Sequence, residues 1–170
     1  LGAIGFARFS YSAILPSMQE GLGITAAQAG SLTSWNLAGY TIMALIGGLL
    51  ASRFGPRIVV TGGVAATAVG MLLTGLAGDI VSASAARLLT GLGNGAALAP
   101  SIALMGAWFE PRRLGLASGI VPAGSSFAMV LVGPTVPNLI AAGGSDGWRF
   151  AWFVLAAVAA ALAVATFVVY

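Results

Sequence analysis

One stretch decides the fold: residues 47–57, Gly-Gly-Leu-Leu-Ala-Ser-Arg-Phe-Gly-Pro-Arg. It separates two long apolar runs, residues 26–51 before it and residues 58–78 after it. Each run exceeds the roughly 20 residues that a helix needs to cross a hydrocarbon core about 30 Å thick. The sequence therefore predicts that Arg53 and Arg57 lie in a tight turn between two membrane helices. Positive charge in a short loop indicates the cytoplasmic side.

The composition of the whole chain supports the same interpretation. Of its 170 residues, 59% are hydrophobic and only 6% are charged, whereas soluble domains carry about 25% charged residues. The sequence contains no lysine, histidine or cysteine, which excludes disulfides, thiolate chemistry and metal sites built from histidine or cysteine. The arginines are scattered, so the net charge of +3 does not indicate nucleic-acid binding. We expect no metal or cofactor. Because the chain begins inside an apolar run, we expect it to be a fragment.

The apolar runs predict an all-α fold, a polytopic six-helix membrane bundle in a single domain spanning residues 1–170. The predicted helices cover residues 1–19, 26–51, 57–78, 81–109, 114–142 and 148–170. Thr25 and Gln28 have the spacing of a capping box at the start of the second helix.

The charged residues of the predicted loops divide unequally between the two sides. One side carries four arginines and one acid, Arg53, Arg57, Arg112, Arg113 and Glu110, and the other carries Glu20, Asp79, Asp146 and Arg149. This bias predicts that both chain ends face the cytoplasm. We expect a multi-pass protein of the inner, or plasma, membrane.

Polar side chains are concentrated in predicted helices 1, 2, 4 and 5. They are Arg8, Tyr11, Ser12, Ser34, Asn36, Tyr40, Arg87, Thr90, Asn94, Ser101, Ser125 and Ser126. Polar groups within a membrane usually face a bundle interior or a water-filled cavity. This distribution predicts that helices 1, 2, 4 and 5 line a cavity, while helices 3 and 6 face lipid.

Arg8 lies 12 residues before Glu20, or about 18 Å along a helix, which is close to the bilayer midplane. A central arginine costs at least about 2.5–3.5 kcal/mol on insertion scales, and no acid occurs at a matching depth in the six helices. Two interpretations stay open. Arg8 binds an anionic substrate or an acid outside this chain, or its side chain extends to the inner interface.

Helix 4 carries a second set of polar residues at helical spacing. Arg87, Thr90, Asn94 and Ser101 recur at steps of three, four and seven residues, which predicts a single stripe. A cavity or gating role is favoured for Arg87 and Asn94. For Thr90 and Ser101, ligand contact and interhelical hydrogen bonding stay open as alternatives. Gly91 and Gly95 form a GxxxG pair that would let two helices approach closely.

Three further polar residues are candidates for orienting a ligand. Asn36 and Tyr40 are four residues apart on helix 2 and share a face, and Tyr11 on helix 1 is a similar hydrogen-bonding group. Such groups commonly orient small ligands in apolar pockets, but they equally bond neighbouring helices. Helix 5 is interrupted by prolines at positions 122, 134 and 137, and broken helices are typical of transporter binding sites.

Several motifs resemble signatures of the major facilitator superfamily. Residues 48–57 resemble its loop signature, Gly-x-Leu-Ala-Asp-Arg-x-Gly-Arg-Arg. Residues 87–93 resemble its helix 4 pattern, Arg-x-x-x-Gly-x-Gly, and residues 147–152 resemble the start of its helix 6. Residues 9–11, 55–59 and 108–119 are similar to the monocarboxylate transporter and oxalate/formate branch. The chain departs from these patterns in three places. Ser52 replaces the signature aspartate, Ala128 replaces a glycine before Gly133-Pro134, and apolar residues near Ile14 replace the branch's helix 1 lysine.

The resemblance implies a twelve-helix alternating-access transporter, of which this chain is the N-terminal half with a 3+3 inverted repeat, completed by a second six-helix half. The substrate-binding residues that we expect are Arg8, Tyr11, Asn36, Tyr40, Asn94 and Ser125. The expected gating or structural residues are Gly48, Ser52, Arg53, Gly55, Arg57, Arg87, Gly91, Arg112, Arg113, Gly133 and Pro134.

The resulting hypothesis is secondary active transport of a small organic anion, such as a monocarboxylate, with proton co-transport implied by the branch. A half-size transporter or a non-transporting membrane sensor or assembly subunit is the alternative. A membrane enzyme is disfavoured, because a serine nucleophile needs a base and the helices contain neither histidine nor a deep carboxylate.

Overall fold

The computed structural model describes residues 2–108, 130 and 132–169; for residues 2–9, 99, 102–108 and 169 it describes only the backbone. These residues form helices and connecting turns, without a strand among them, so the all-α prediction is confirmed. The elements are α1 (Gly2–Leu22), α2 (Ala26–Phe54), α3 (Pro56–Leu76), α4 (Ile80–Trp108), α5 (132–142), a 3₁₀ turn (Gly144–Asp146) and α6 (Gly147–Val169). Each described helix end lies within three residues of its predicted position.

Three segments among the described residues are long and apolar enough to cross a membrane. They are Ala26–Phe54, Pro56–Leu76 and Gly144–Val168. Together with the low charge content, they make this a multi-pass membrane protein.

The two predicted helix boundaries around α2 have the expected chemistry. The backbone N–H of Gln28 donates to Thr25 Oγ1 (3.3 Å) and the N–H of Thr25 donates to Gln28 Oε1 (2.8 Å), which completes the capping box. At the other end, Gly55 adopts a φ of +86°, a conformation that only glycine reaches readily. Pro56 then occupies the first turn of α3, where its missing N–H costs nothing. The connection between α2 and α3 is therefore the single residue Gly55, and Arg53 and Arg57, which were predicted to lie in the turn, belong to the last turn of α2 and the first turn of α3.

Helix α4 packs backbone-to-backbone against α2 along a line of glycines. A Cβ added at Gly91 would overlap the carbonyl oxygen of Asn36 and lie 2.9 Å from the backbone nitrogen of Tyr40. Gly95 and Gly39 meet the opposite backbone just as closely. The GxxxG pair of α4 therefore forms the close helix contact that its spacing suggested.

A second line of glycines joins α4 to α3. A Cβ at Gly63 would lie 2.7 Å from the carbonyl oxygen of Gly93, and one at Gly93 would lie 2.6 Å from the backbone nitrogen of Thr67. Gly70 approaches the backbone of Thr90 in the same way. Because both glycine lines run along α4, this helix fixes α2 and α3 at short distances on either side of it.

The largest buried cluster joins α1, α3 and α6. Its fully buried members include Ile14, Met18, Met71, Trp148 and Trp152. The prediction that helices 3 and 6 simply face lipid is therefore wrong for their inner faces, because each buries one side against the bundle. Their outer sides expose apolar residues such as Ile58, Leu72 and Phe167.

The start of α6 is tied to α3 by Arg149. Its Nη1 donates to the carbonyl oxygen of Gly75 (2.8 Å), and its Nε lies 3.5 Å from Asp146 Oδ1. The guanidinium carbon also lies 4.3 Å from the ring centroid of Trp148. This arrangement gives the Gly-Trp-Arg start of α6 a structural role.

Candidate functional site

A cavity of about 330 Å³ opens between α1, α2 and α4. Its lining residues are Tyr11, Ser12, Leu15, Thr33, Asn36, Leu37, Tyr40, Arg87 and Asn94. The structure thus brings together five side chains that the sequence singled out, from three different helices. Its volume is at the lower end of the range for small-molecule sites.

Arg87 forms the cationic wall of this cavity. Its residue is only 2% exposed, and its guanidinium carbon lies 4.2 Å from the ring centroid of Tyr11 and 5.3 Å from that of Trp152. Within the described residues, its Nε and Nη1 atoms have no hydrogen-bond partner, and no acid lies within salt-bridge distance of it. Stacking on aromatic rings offsets part of the cost of burying this charge. Among the described residues Nε and Nη1 are left unsatisfied, which is expensive in a buried site.

Asn36 links the cavity wall of α2 to α4. Its Nδ2 donates to the backbone carbonyl oxygen of Arg87 (3.0 Å). Because a carbonyl oxygen only accepts, this contact fixes the orientation of the amide. The Oδ1 atom of Asn36 is then the group that can accept a hydrogen bond from a ligand.

Asn94 is oriented by α3. Its residue is 4% exposed, and its Oδ1 lies 3.1 Å from the hydroxyl of Thr67, which also lies 3.0 Å from the carbonyl oxygen of Gly63. The one hydroxyl hydrogen of Thr67 serves one of these two acceptors at a time; when it is donated to Asn94 Oδ1, the amide N–H groups of Asn94 are left to serve a ligand. The two asparagines therefore contribute opposite hydrogen-bonding capacity to one cavity.

The two tyrosines of the cavity differ in what their hydroxyls do. Tyr11 is buried, and its hydroxyl donates to the backbone carbonyl oxygen of Ala29 (2.7 Å), so its proton ties α1 to α2. Its ring, in contrast, supports Arg87. Tyr40 is half-buried, and its hydroxyl makes no hydrogen bond among the described residues. Of the two, Tyr40 is the one with a hydroxyl available to a ligand.

The predicted polar stripe on α4 does not hold over its full length. Arg87 and Asn94 line the cavity, but the hydroxyl of Thr90 donates to Ala86 O (2.9 Å) and that of Ser101 donates to Ala97 O (2.6 Å). Both hydroxyls therefore satisfy the carbonyl of their own preceding turn. Thr90 is fully buried against α3 instead of facing the cavity.

Two residues that support the site were missed in the sequence. Thr67 and Trp152 lie on α3 and α6, the helices predicted to face lipid, yet they contact Asn94 and Arg87. The signal for Thr67 was weak, because a threonine in an apolar helix usually bonds its own backbone. Trp152 belongs to the Gly147–Trp152 motif, which could have pointed to it.

The predicted motif residues of the α2–α3 turn lie outside the cavity lining. Arg57 donates from Nη2 to the carbonyl oxygen of Phe167 (2.6 Å) and stacks over its ring at 4.7 Å. Ser52 donates to Leu49 O (2.8 Å), and Arg53 is exposed.

The other predicted residues lie elsewhere or outside the described part of the chain. Gly48 faces open space on α2, and Gly133 and Pro134 are exposed on α5. Arg8 lies in α1, but its side chain, together with Ser125, Arg112 and Arg113, lies outside the described residues.

Comparison with known families gives one match across the chain. A family model described as Major Facilitator Superfamily matches residues 1–170. The chain belongs to the Major Facilitator Superfamily. The fold is therefore one half of that superfamily's fold, as the motifs suggested.

Several curated superfamily members are similar to this chain. It is 30% identical over 151 residues to the probable sulfoacetate transporter SauU of Cupriavidus necator, covering 89% of this chain and 34% of that protein. It is 29% identical to the nitrate/nitrite transporter NrtP of Nostoc punctiforme, covering 84% of this chain and 29% of that protein. It is 38% identical to monocarboxylate transporter 3 of Mus musculus, covering 59% of this chain and 20% of that protein. The chain thus spans about a third or less of the length of these relatives. The names of all three relatives describe transporters.

Proposed function

We propose that the protein containing this chain is a secondary active transporter that moves a small organic anion, such as a monocarboxylate, by alternating access. The observation that carries the proposal is the buried guanidinium of Arg87, whose Nε and Nη1 lack partners among the described residues. An anion bound in the adjoining cavity would satisfy the unpaired charge. Carboxylates and similar oxyanions match the planar fork of arginine.

The rest of the cavity suits an anion that also has polar atoms. Asn94 offers N–H donors beside the arginine, Asn36 offers an acceptor, and the hydroxyl of Tyr40 offers either. These groups are carried by α2 and α4, which the glycine contacts hold together. A ligand would therefore meet a preorganised set of polar groups in an otherwise apolar cavity.

The names of the relatives agree with this ligand class. They refer to sulfoacetate, nitrate or nitrite, and monocarboxylates, all of which are small anions. These substrates differ in shape and in their charged group, so the names support an anion and leave its identity to experiment.

The proposal includes a second six-helix half, proton co-transport and chain ends that face the cytoplasm of the inner, or plasma, membrane. The arginines at the connections between helices support this orientation, with Arg53 and Arg57 on either side of Gly55. The acids of the described residues are Glu20, Asp79 and Asp146, all near helix ends. A proton-carrying carboxylate within the membrane would therefore come from the remaining part of the protein.

The test is uptake of a panel of labelled anions by vesicles that contain the full-length protein. Arg87→Gln should raise the half-saturating anion concentration about ten- to one-hundredfold, because a hydrogen bond to a charged group contributes about 1.5–3 kcal/mol. Arg149→Gln is the comparison variant, because this arginine lies outside the cavity lining but ties α6 to α3, and it therefore shows the effect on uptake of losing a structural arginine alone. Tyr40→Phe, which removes only a hydroxyl, should weaken uptake without affecting folding.

Two results would contradict the proposal. Unchanged uptake by Arg87→Gln and Tyr40→Phe would remove the cavity from the transport path. Failure of the folded intact protein to take up any anion would favour a sensor or assembly subunit. Uptake by Arg8→Ala tests the second arginine separately: a loss comparable to that of Arg87→Gln would give the substrate two cationic contacts.

A further inference from the structure

We propose that a groove between α2 and α3 is a binding site for one anionic phospholipid. An acyl chain would lie in the groove, and the phosphate would contact Arg53. This site is separate from the transport cavity and does not depend on the proposed transport function.

The groove follows from how the helices pack. α2 and α3 each lie close against α4, but they have few contacts with each other, so a space of about 330 Å³ is left between them. Leu50 and Phe54 of α2 and Ile58 and Gly62 of α3 form its walls, and Leu92 of α4 lies at its floor. The lining is almost entirely carbon, which suits an acyl chain and not a polar ligand.

The groove is open to its surroundings along α3. Gly62 is exposed, and a Cβ built there would have no atom within 4 Å. Ile58 is 63% exposed. A membrane protein presents such a surface to the acyl chains of the bilayer, so a lipid can enter sideways without any movement of the helices.

The charge at one end of the groove selects among lipids. The guanidinium carbon of Arg53 lies 5.7 Å from the ring centroid of Phe54, a wall residue. Among the described residues, no acid lies within salt-bridge distance of Arg53. The neighbouring Arg57 is already bonded to the carbonyl oxygen of Phe167. One exposed arginine beside an apolar groove matches a phospholipid, in which glycerol joins the phosphate to the acyl chains.

The experiment is a lipid titration of the full-length protein in detergent, followed by native mass spectrometry. The two lipids are phosphatidylglycerol, which is anionic, and phosphatidylcholine, which is zwitterionic, with identical acyl chains. Phosphatidylglycerol should bind about fivefold more tightly, the effect expected of one arginine near a lipid headgroup. Arg53→Gln should remove this preference, whereas Arg57→Gln should keep most of it.

Filling the groove tests the acyl-chain half of the site. Gly62→Leu should weaken the binding of both lipids, because its side chain would occupy the groove. Gly30→Leu is the matched control, since Gly30, on α2, is likewise an exposed glycine with open space around it but lies outside the groove. This control should bind both lipids as the unmodified protein does.

Several outcomes would overturn the proposal. Equal affinity for the two lipids would exclude selection by charge, and equal losses in Arg53→Gln and Arg57→Gln would indicate general attraction to the membrane surface. Unchanged lipid binding by Gly62→Leu would exclude the groove. Unfolding of lipid-free Gly62→Leu, but not of Gly30→Leu, would mean that another part of the polypeptide fills the groove.

Discussion

Gly91→Ala tests the contact that holds the walls of the candidate cavity together. The added Cβ would overlap the carbonyl oxygen of Asn36 and lie 2.9 Å from both its carbonyl carbon and the backbone nitrogen of Tyr40. Ordinary contact begins at 3.4 Å, so α2 and α4 must move apart, and the overlap with the carbonyl oxygen of Asn36 sets how far. Both obstructing groups are backbone, so no side-chain rotation can relieve the overlap.

The expected cost follows from two opposing effects. Overpacking a well-fitted contact costs about 1–3 kcal/mol, and replacing a helical glycine with alanine returns up to about 1 kcal/mol. The net loss should be about 1–2 kcal/mol, which lowers the Tm of a chain of this size by about 2–8 °C. Because Asn36 and Tyr40 move with α2, anion affinity should fall as well.

The assay is thermal unfolding of the purified protein in detergent, followed by tryptophan fluorescence, with anion affinity measured on the same samples. Gly30→Ala is the control, because it makes the same change on α2 at a position with open space around it. It should be neutral or slightly stabilising. If Gly91→Ala and Gly30→Ala had the same Tm and affinity, the close α2–α4 contact would not support the cavity.

Three further predictions concern hydrogen bonds made by side chains. Thr25→Ala should lower the free energy of unfolding by about 1 kcal/mol, measured by thermal unfolding, because it removes the capping box of α2; Thr25→Ser should retain most of that stability. The backbone N–H of Ser82 donates to Asp79 Oδ1 (2.8 Å) and holds the pKa of this exposed carboxyl below its ordinary value. The stabilising effect of the ionised Asp79 carboxylate is therefore present above the unfolded-state pKa and is lost as pH falls through the lower folded-state pKa. Asp79→Asn should flatten that part of a plot of Tm against pH. An unchanged plot would contradict the assignment. Tyr11→Phe removes the hydrogen bond to Ala29 O, so thermal unfolding should show a loss of about 0.5–1.5 kcal/mol of stability with little change in anion affinity. Tyr40→Phe should lower the anion affinity with little change in stability. Identical behaviour of the two variants would refute their different roles.

Much of the fold was predictable because it depends on local features of the sequence. The lengths of the apolar runs predicted the helices and the short break between α2 and α3, and Thr25 with Gln28 predicted the capping box. The shared cavity was also predictable in outline, because buried polar groups in a membrane must converge on one another or on water.

The residues of neighbouring helices that hold the site in place could not be predicted from the sequence. Helix α3 is almost entirely apolar, so nothing in its pattern distinguishes the inward Thr67 from a threonine that bonds only its own helix. Likewise, the spacing of Thr90 matches that of Arg87 and Asn94, but its position around the helix turns it towards Gly70. Which face of a membrane helix is inward depends on its neighbours, since lipid and protein interior are equally apolar.

The glycine contacts and the site chemistry together constrain how the proposed alternating-access movement can occur. Asn36 holds the carbonyl oxygen of Arg87, and Gly91, one turn further along α4, lies against the backbone of that same Asn36. Any sliding of α2 along α4 would break this hydrogen bond and bring the two backbones into collision. Packed helices with such contacts shift between discrete arrangements and do not deform continuously. We therefore expect α2 and α4 to move as one body, with Arg87 keeping its place relative to Asn36 and Asn94 throughout the cycle. The change of access must then occur where other segments meet this pair, so that the anion site stays intact while its exposure to the two sides changes.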